Sequence, residues 1–283
     1  MLRRVRGYLL PRTEPVSTAS QELQDQGFAM LRSAFTAAEI VALTEDIDQV
    51  YIDHPADARA ASVRDPAEDE DFRYAMFNRS ALVQQAIAHE LILRTIEPLL
   101  GEDCHVIANT SWRNPVRQSN THGGGLWHID AGPHVPRPHD VAWDERIPYP
   151  IFVIGAHIYL QDCPLACGPT GFIPGSHKSG RPPPAEHLND IDLEYDGHKV
   201  VPVVAQAGDI CLFVSDVWHR RLPAEAAGKG RYFLQVHYGR RDIAQRILPT
   251  SEVNHVTEAA QARITCKRES QLLGLHDSLF YDG

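Results

Sequence analysis

Trp127-His128-Ile129-Asp130 is the segment whose residue types and spacing most directly support chemistry. On a β-strand successive side chains point to opposite faces, so His128 and Asp130 would share one face with Leu126 beside them. An imidazole and a carboxylate so placed can both reach one divalent cation. Trp218-His219, just beyond the apolar run Asp209-Ile-Cys-Leu-Phe-Val214, supplies a candidate third ligand. Two histidines and one carboxylate, with three coordination positions left open, form the facial triad of non-haem Fe(II) oxygenases. His-x-Asp alone is weak, because the chain has 15 histidines and 37 acidic residues, and His139-Asp140 and His276-Asp277 are near misses.

The elements that must position these residues follow from hydrophobic periodicity. Residues 19–52 hold two helical segments around the apolar run Gly27-Phe-Ala-Met-Leu-Arg32. Thr36-Ala-Ala-Glu39 has capping-box spacing, and Ile40, Leu43, Ile47 and Val50 then recur on one helical face. Residues 80–100 predict one further core helix closed by Gly101, with Pro98 ending it a turn early. From residue 104 the pattern changes to short β-branched and aromatic runs at 104–112, 126–130, 151–161, 200–204, 209–214 and 231–239. Glycines and prolines punctuate them, which suits an antiparallel sandwich or barrel. The polar, proline-containing segments 131–150 and 180–199 are longer than hairpin loops, and long loops at a barrel mouth are usually functional. The tail from 251 predicts helical and irregular cover.

Composition narrows the class. The 283 residues are 43% hydrophobic and 23% charged, as in a globular protein with a core, and the net charge of −10 argues against a nucleic-acid partner. No apolar run reaches the roughly 18 residues of a membrane span. Cys104, Cys163, Cys167, Cys211 and Cys266 are odd in number and widely spaced, which is not a disulfide framework, and Cys163-Pro-Leu-Ala-Cys167 has no second pair to complete a zinc site. The basic start has too short an apolar run for a secretory signal and the end carries no Ser-Lys-Leu, so the cytoplasm is the expected location.

Around the first pair lies a longer grammar: Gly168-Pro-Thr-Gly-Phe-Ile-Pro-Gly-Ser-His-Lys178, then Gly208-Asp209 opening a strand toward His219, and Arg231 twelve residues later. With the opening Gln24-Asp-Gln-Gly-Phe-Ala-Met-Leu31 and its helix, these pieces make residues 20–245 resemble the phytanoyl-CoA dioxygenase family of Fe(II)- and 2-oxoglutarate-dependent oxygenases. The resemblance implies a mainly β protein with helical cover, its core a double-stranded β-helix (a jelly-roll, cupin-like barrel) with the metal at the open end. It implies one oxygenase domain over 1–283, with 1–18 flexible, 19–103 mainly helical cover, 104–245 the jelly-roll core and 246–283 C-terminal cover. His128, Asp130 and His219 would hold Fe(II), and Arg231 would bind the far carboxylate of the cosubstrate 2-oxoglutarate, since a planar guanidinium matches a carboxylate. Thr170 falls where a family hydroxyl supports the same carboxylate; a turn threonine is the other reading. O2 would be the second cosubstrate, with succinate and CO2 released as an unactivated C–H bond of a small organic molecule is oxidised.

Alternation along 151–161 puts Gly155, His157 and Tyr159 on one face, which the resemblance makes the inner one; they either line the substrate pocket or form a hydrogen-bonded core pair. Some relatives carry a small hydroxyl residue two places after the distal histidine, where this chain has Arg221, so Arg220-Arg221 either meets an anionic substrate or forms a solvated turn. His177 belongs to a loop as a structural or substrate-approach residue, His122 precedes a triple glycine with similar standing, and His134 and His139 are expected in solvent. Trp112, Trp143 and Arg117 are candidates to shape a lid. Asp130 leaves no vacant position for a halide on iron and so points to oxygenation. Two other classes remain open from sequence: a non-catalytic jelly-roll metabolite-binding protein, and a zinc hydrolase on the same ligands. The expected partner is a small molecule, with no nucleic acid and no membrane; oligomeric state, substrate and outcome (hydroxylation, desaturation, epimerisation, ring closure or endoperoxide formation) are not encoded legibly.

Overall fold

Along Arg231–Gly239 (β9) successive side chains enter two different apolar environments, and that double burial explains the architecture. The computed structural model describes residues 17–54, 72–114, 124–245 and 256–277. The other strands described are Phe28–Leu31 (β1), Phe72–Tyr74 (β2), His105–Asn114 (β3), Val153–Tyr159 (β4), Thr170–Phe172 (β5), Val201–Pro202 (β6), Ile210–Val214 (β7) and His219–Arg221 (β8). They form one antiparallel six-stranded sheet in the order β1-β7-β4-β9-β3-β2 and a smaller sheet in the order β6-β5-β8. The outer face of the large sheet, carrying Ala156, Ile158, Leu212, Leu234, Val236 and Tyr238, packs on helices in the main core. Its inner face joins the small sheet through a second cluster that includes Phe28, Tyr159, Phe172, Cys211, Phe213 and Phe233. This is the jelly-roll arrangement, mainly β with helical cover.

The helical cover begins with Thr18–Gln26 (α1) and Ala37–Asp53 (α2). The Thr36–Glu39 capping box is present, with each side chain satisfying the other's backbone N–H, and Ile40, Leu43, Ile47 and Val50 form the buried stripe. After Met76–Arg79 (α3), the predicted single helix over 80–100 is two, Ala81–Ala86 (α4) and Glu90–Leu100 (α5). The chain tightens at Ala88 and His89, whose N–H groups reach back only three residues, and the His89 ring then caps α5 by accepting from Leu91 N–H. Pro98 does not stop α5, which runs on to Leu100 before Gly101. Glu258–Ala262 (α6) and Lys267–Leu272 (α7) bury Ala260 and Leu272 in the main core. No helix among the described residues is long and apolar enough to cross a membrane.

The predicted strand at 126–130 is not a strand. It touches β8 through one isolated bridge, in which His128 and His219 exchange both backbone hydrogen bonds at 3.0 Å, and Asp130 N–H turns instead to Ser215 O. The 200–204 run shrinks to two residues, because Pro202 lacks a backbone donor and confines β6 to a sheet edge. The five cysteines are all free thiols, four of them buried.

One glycine is required by the barrel filling. Gly155 on β4 lies flat against Phe213, and a Cβ there would come within 2.3 Å of the ring. Gly155→Ala is expected to lower unfolding free energy by about 1–3 kcal/mol through overpacking, measured as a reduced urea midpoint with unchanged slope.

Candidate metal centre and the pocket beneath it

The His128–His219 bridge brings the two imidazoles together with ring centroids 4.2 Å apart, and Asp130 reaches back toward both. His128 Nε2 lies 3.5 Å and His219 Nε2 3.4 Å from Asp130 Oδ1. One ligand atom from each residue falls within 4.8 Å of the other two, as a shared metal ion requires. Backbone carbonyls fix the ring orientations: His128 Nδ1 donates to Leu126 O at 2.8 Å and His219 Nδ1 to Val217 O at 2.9 Å. A carbonyl only accepts, so Nδ1 carries a proton on both rings, and both Nε2 atoms face Asp130, where a bound metal ion would take the place of any Nε2 proton. Two neutral imidazoles and one carboxylate with tautomers already set therefore fit a divalent transition metal.

Electrostatics keep the carboxylate ionised. Burial by itself raises the pKa of Asp130, but the charge and hydrogen bond of His219 and the hydrogen bonds of His128 and His237 outweigh it and hold the group well below the ordinary carboxylate range. Burial and the neighbouring His128 lower His219, whereas the hydrogen bond and charge of Asp130 overcome burial at His128 and raise it.

Arg231 opens β9 six residues before His237, on the same inner face. It donates to Thr170 Oγ1 at 3.1 Å and to Asn114 Oδ1 at 2.7 Å, and only 5% of the residue is exposed. Burial, followed by the nearby Arg221 charge, brings its guanidinium down to about 9, still cationic at neutral pH. Thr170 is thus a partner of Arg231, in a β-strand and not in a turn. His157 and Tyr159 project from β4 into the same interior, with His157 ring centroids 4.9 Å from Phe213 and 4.4 Å from Phe233. Burial, then the Arg231 charge, pushes His157 well below its ordinary value, so the imidazole is neutral, and its Nδ1 has no hydrogen-bond partner among the described residues. Burial pushes the Tyr159 phenol up, keeping it protonated. Leu126 is half-buried and contributes its carbonyl to His128.

Several expectations are corrected. Arg220-Arg221 is not a solvated turn: Arg221 is 1% exposed, sits in β8 opposite Thr170 and donates its backbone N–H to Gly124 O. His134 is not free in solvent, because Asp216 accepts from its backbone N–H at 2.9 Å and pairs with its Nδ1 at 2.5 Å; His139 is exposed. His177 is wholly buried in a 3-10 turn, where its Nε2 donates to Gln24 O at 3.2 Å, so its role is structural. Trp112 faces the barrel interior and donates to Gln235 Oε1, whereas Trp143 lies on the 131–150 loop and donates to Ile147 O. His122 and Arg117 lie outside the described residues.

The residue missed from sequence is His237. Its Nε2 donates to Asp130 Oδ2 at 2.8 Å, and Gln235 approaches the same oxygen at 3.5 Å. The signal was present: alternation from Arg231 puts Phe233, Gln235 and His237 on the inner face with it.

A jelly-roll with two imidazoles and a carboxylate at its open end, and a buried arginine below them, is the arrangement of the iron- and 2-oxoglutarate-dependent dioxygenases. Residues 23–223 match the phytanoyl-CoA dioxygenase (PhyH) family, and the chain belongs to it. Among solved structures it is similar to the 2-oxoglutarate-dependent carbocyclase SnoK of nogalamycin biosynthesis, at 18% identity and TM-score 0.54, covering 82% of this chain and 88% of that one. It is also similar to the epimerase SnoN in complex with Fe3+, α-ketoglutarate and nogalamycin RO, at 16% identity and TM-score 0.59, covering 88% and 95%. HygX from Streptomyces hygroscopicus, with nickel and 2-oxoglutarate bound, gives 13% identity and TM-score 0.59 over 82% and 90%. No curated protein matches the chain in sequence.

Burial lowers His177 from 6.5 to about 4. A histidine whose folded pKa is depressed contributes stability fully above its unfolded pKa and loses it as pH falls toward the folded value. Unfolding free energy should therefore fall between about pH 6.5 and 4, by an amount on the order of a few kcal/mol, and His177→Gln should flatten that slope in urea titrations at pH 7 and 5.

Proposed function

We propose that the protein oxidises an unactivated C–H bond of a small organic molecule, hydroxylating it while 2-oxoglutarate and O2 become succinate and CO2. The observation that carries this reading is the convergence of His128, Asp130 and His219 above a buried, cationic Arg231 in one barrel. His128 Nε2, Asp130 and His219 Nε2 would hold Fe(II), which when bound supplies the redox chemistry that couples decarboxylation to substrate oxidation. The chain's own contribution is position and exclusion. Arg231, steadied by Thr170 and Asn114, meets the far carboxylate of 2-oxoglutarate with a charge-assisted hydrogen bond, in a site where burial strengthens it. Phe172, Phe213 and Phe233 keep water from this side, while neutral His157 and protonated Tyr159 offer hydrogen bonds without adding charge. Leu126, His157 and Tyr159 are assigned to the pocket wall.

The substrate class is taken to be secondary metabolites. HygX is known with hygromycin B bound and SnoN with nogalamycin RO, and both share this fold. The test is succinate release over a panel of metabolites with Fe(II) and 2-oxoglutarate, followed by mass spectrometry of each hit. A product heavier by one oxygen is the expected outcome, whereas loss of two hydrogens or an unchanged mass would replace hydroxylation by desaturation, ring closure or epimerisation.

Two variants check the assignments. Asp130→Ala should abolish succinate formation; wild-type turnover in that variant would overturn the metal site. Arg231→Leu should weaken 2-oxoglutarate binding roughly 10- to 100-fold, the loss expected when a charge-assisted pair worth about 1.5–3 kcal/mol is removed, read from an anaerobic Fe(II)–2-oxoglutarate charge-transfer titration.

A further inference from the structure

The geometry points to His237 as the residue that fixes how Asp130 is presented to the metal; the inference rests on the metal-centre reading above. A carboxylate has two equivalent oxygens and can bind an ion through either or both. Here they are made inequivalent. Asp130 Oδ1 faces His128 Nε2 and His219 Nε2 at 3.5 and 3.4 Å, whereas Oδ2 accepts from His237 Nε2 at 2.8 Å. His237 thereby commits Oδ2 to hydrogen bonding and leaves Oδ1 as the metal-facing atom. Bidentate attachment would occupy one of the three positions that 2-oxoglutarate and O2 need, so a one-oxygen carboxylate is the form compatible with the chemistry.

The fold aims His237 with some care. Between Val106 and Ala108 the register of β3 against β9 shifts, inserting Ile107 beside the Ala108–His237 pair. Such a bulge bends and twists the strand locally and re-aims the side chains around it. On the other flank His237 is paired with Gly155, which offers no side chain to crowd it, and the Phe213 ring stands edge-on at 6.1 Å. The side chain of His237 is 14% exposed, so water competes little for its proton. His237 touches no expected position of the reacting atoms, and it is therefore a positioning residue acting through Asp130.

The test is anaerobic calorimetric titration of the metal-free protein with Co(II), comparing wild type with His237→Ala and His237→Gln. His237→Ala should lose roughly 10- to 100-fold in affinity, the usual effect of removing a partner that orients a metal ligand. His237→Gln, which keeps an N–H donor, should recover part of the loss. The visible Co(II) bands of the alanine variant should also change shape, because the carboxylate is then free to chelate. The unfolding midpoint of the metal-free alanine variant should match wild type, separating orientation of Asp130 from general stability. If that variant does not fold, His237→Leu carries the same comparison without a donor. Wild-type Co(II) affinity and bands in a donor-less variant would overturn the role of His237 alone, and absence of Co(II) binding by wild type would overturn the metal centre itself.

Discussion

The open end of this barrel depends on one ionised carboxylate held among imidazoles, its side chain only 18% exposed. Burial alone would raise the pKa of Asp130, because it penalises the charge. Three histidines from three separate stretches of chain prevent that, and each needs its own support. His128 and His219 are fixed by the carbonyls of Leu126 and Val217, each two residues back along the chain. His237 is fixed by its place on the central β9. The charge at Asp130 is thus a property of the sheet packing as much as of any single pair.

β9 links the two groups of polar side chains inside the barrel. It lies between β3 and β4, so neither of its edges is exposed, and its inward positions run Arg231, Phe233, Gln235 and His237. The cationic end reaches Thr170 on the small sheet and the histidine end reaches Asp130, with an aromatic residue between them. Because Arg231 and His237 share one rigid strand, their separation is set by strand rise and not by loop conformation.

Much of this was legible in the sequence, for identifiable reasons. Helix α2 announced itself because its capping box and its apolar stripe are local signals, and both were formed as expected. β3, β4, β7 and β9 were legible because each is a run of β-branched and aromatic residues. The elements that escaped are those held by partners distant in sequence. β8 is only three residues, two of them arginine, and exists because it pairs with β5 and the His128 bridge. The 126–130 segment has the composition of a strand, yet it pairs at a single point, and the N–H groups of Trp127 and Asp130 go to Leu188 O and Ser215 O. Arg221 looked like a surface residue because arginine usually is one, and nothing local reveals that the small sheet closes over it. His237 carries no motif, although the alternation that puts His157 on an inner face applies equally to β9.

Asp216 has a consequence of another kind. It is buried three residues before His219, and it holds both the backbone and the ring of His134, four residues after Asp130. The loop that leaves one ligand is therefore clamped to the turn that introduces the other. Beyond that clamp the 131–150 loop presents His139, Val141 and Ile147 to solvent. The clamp divides the loop into a fixed root that belongs to the metal centre and an outer arc that does not. Substitutions at His139, Val141 or Ile147 would leave the Asp216–His134 clamp, and the chain on either side of it, untouched.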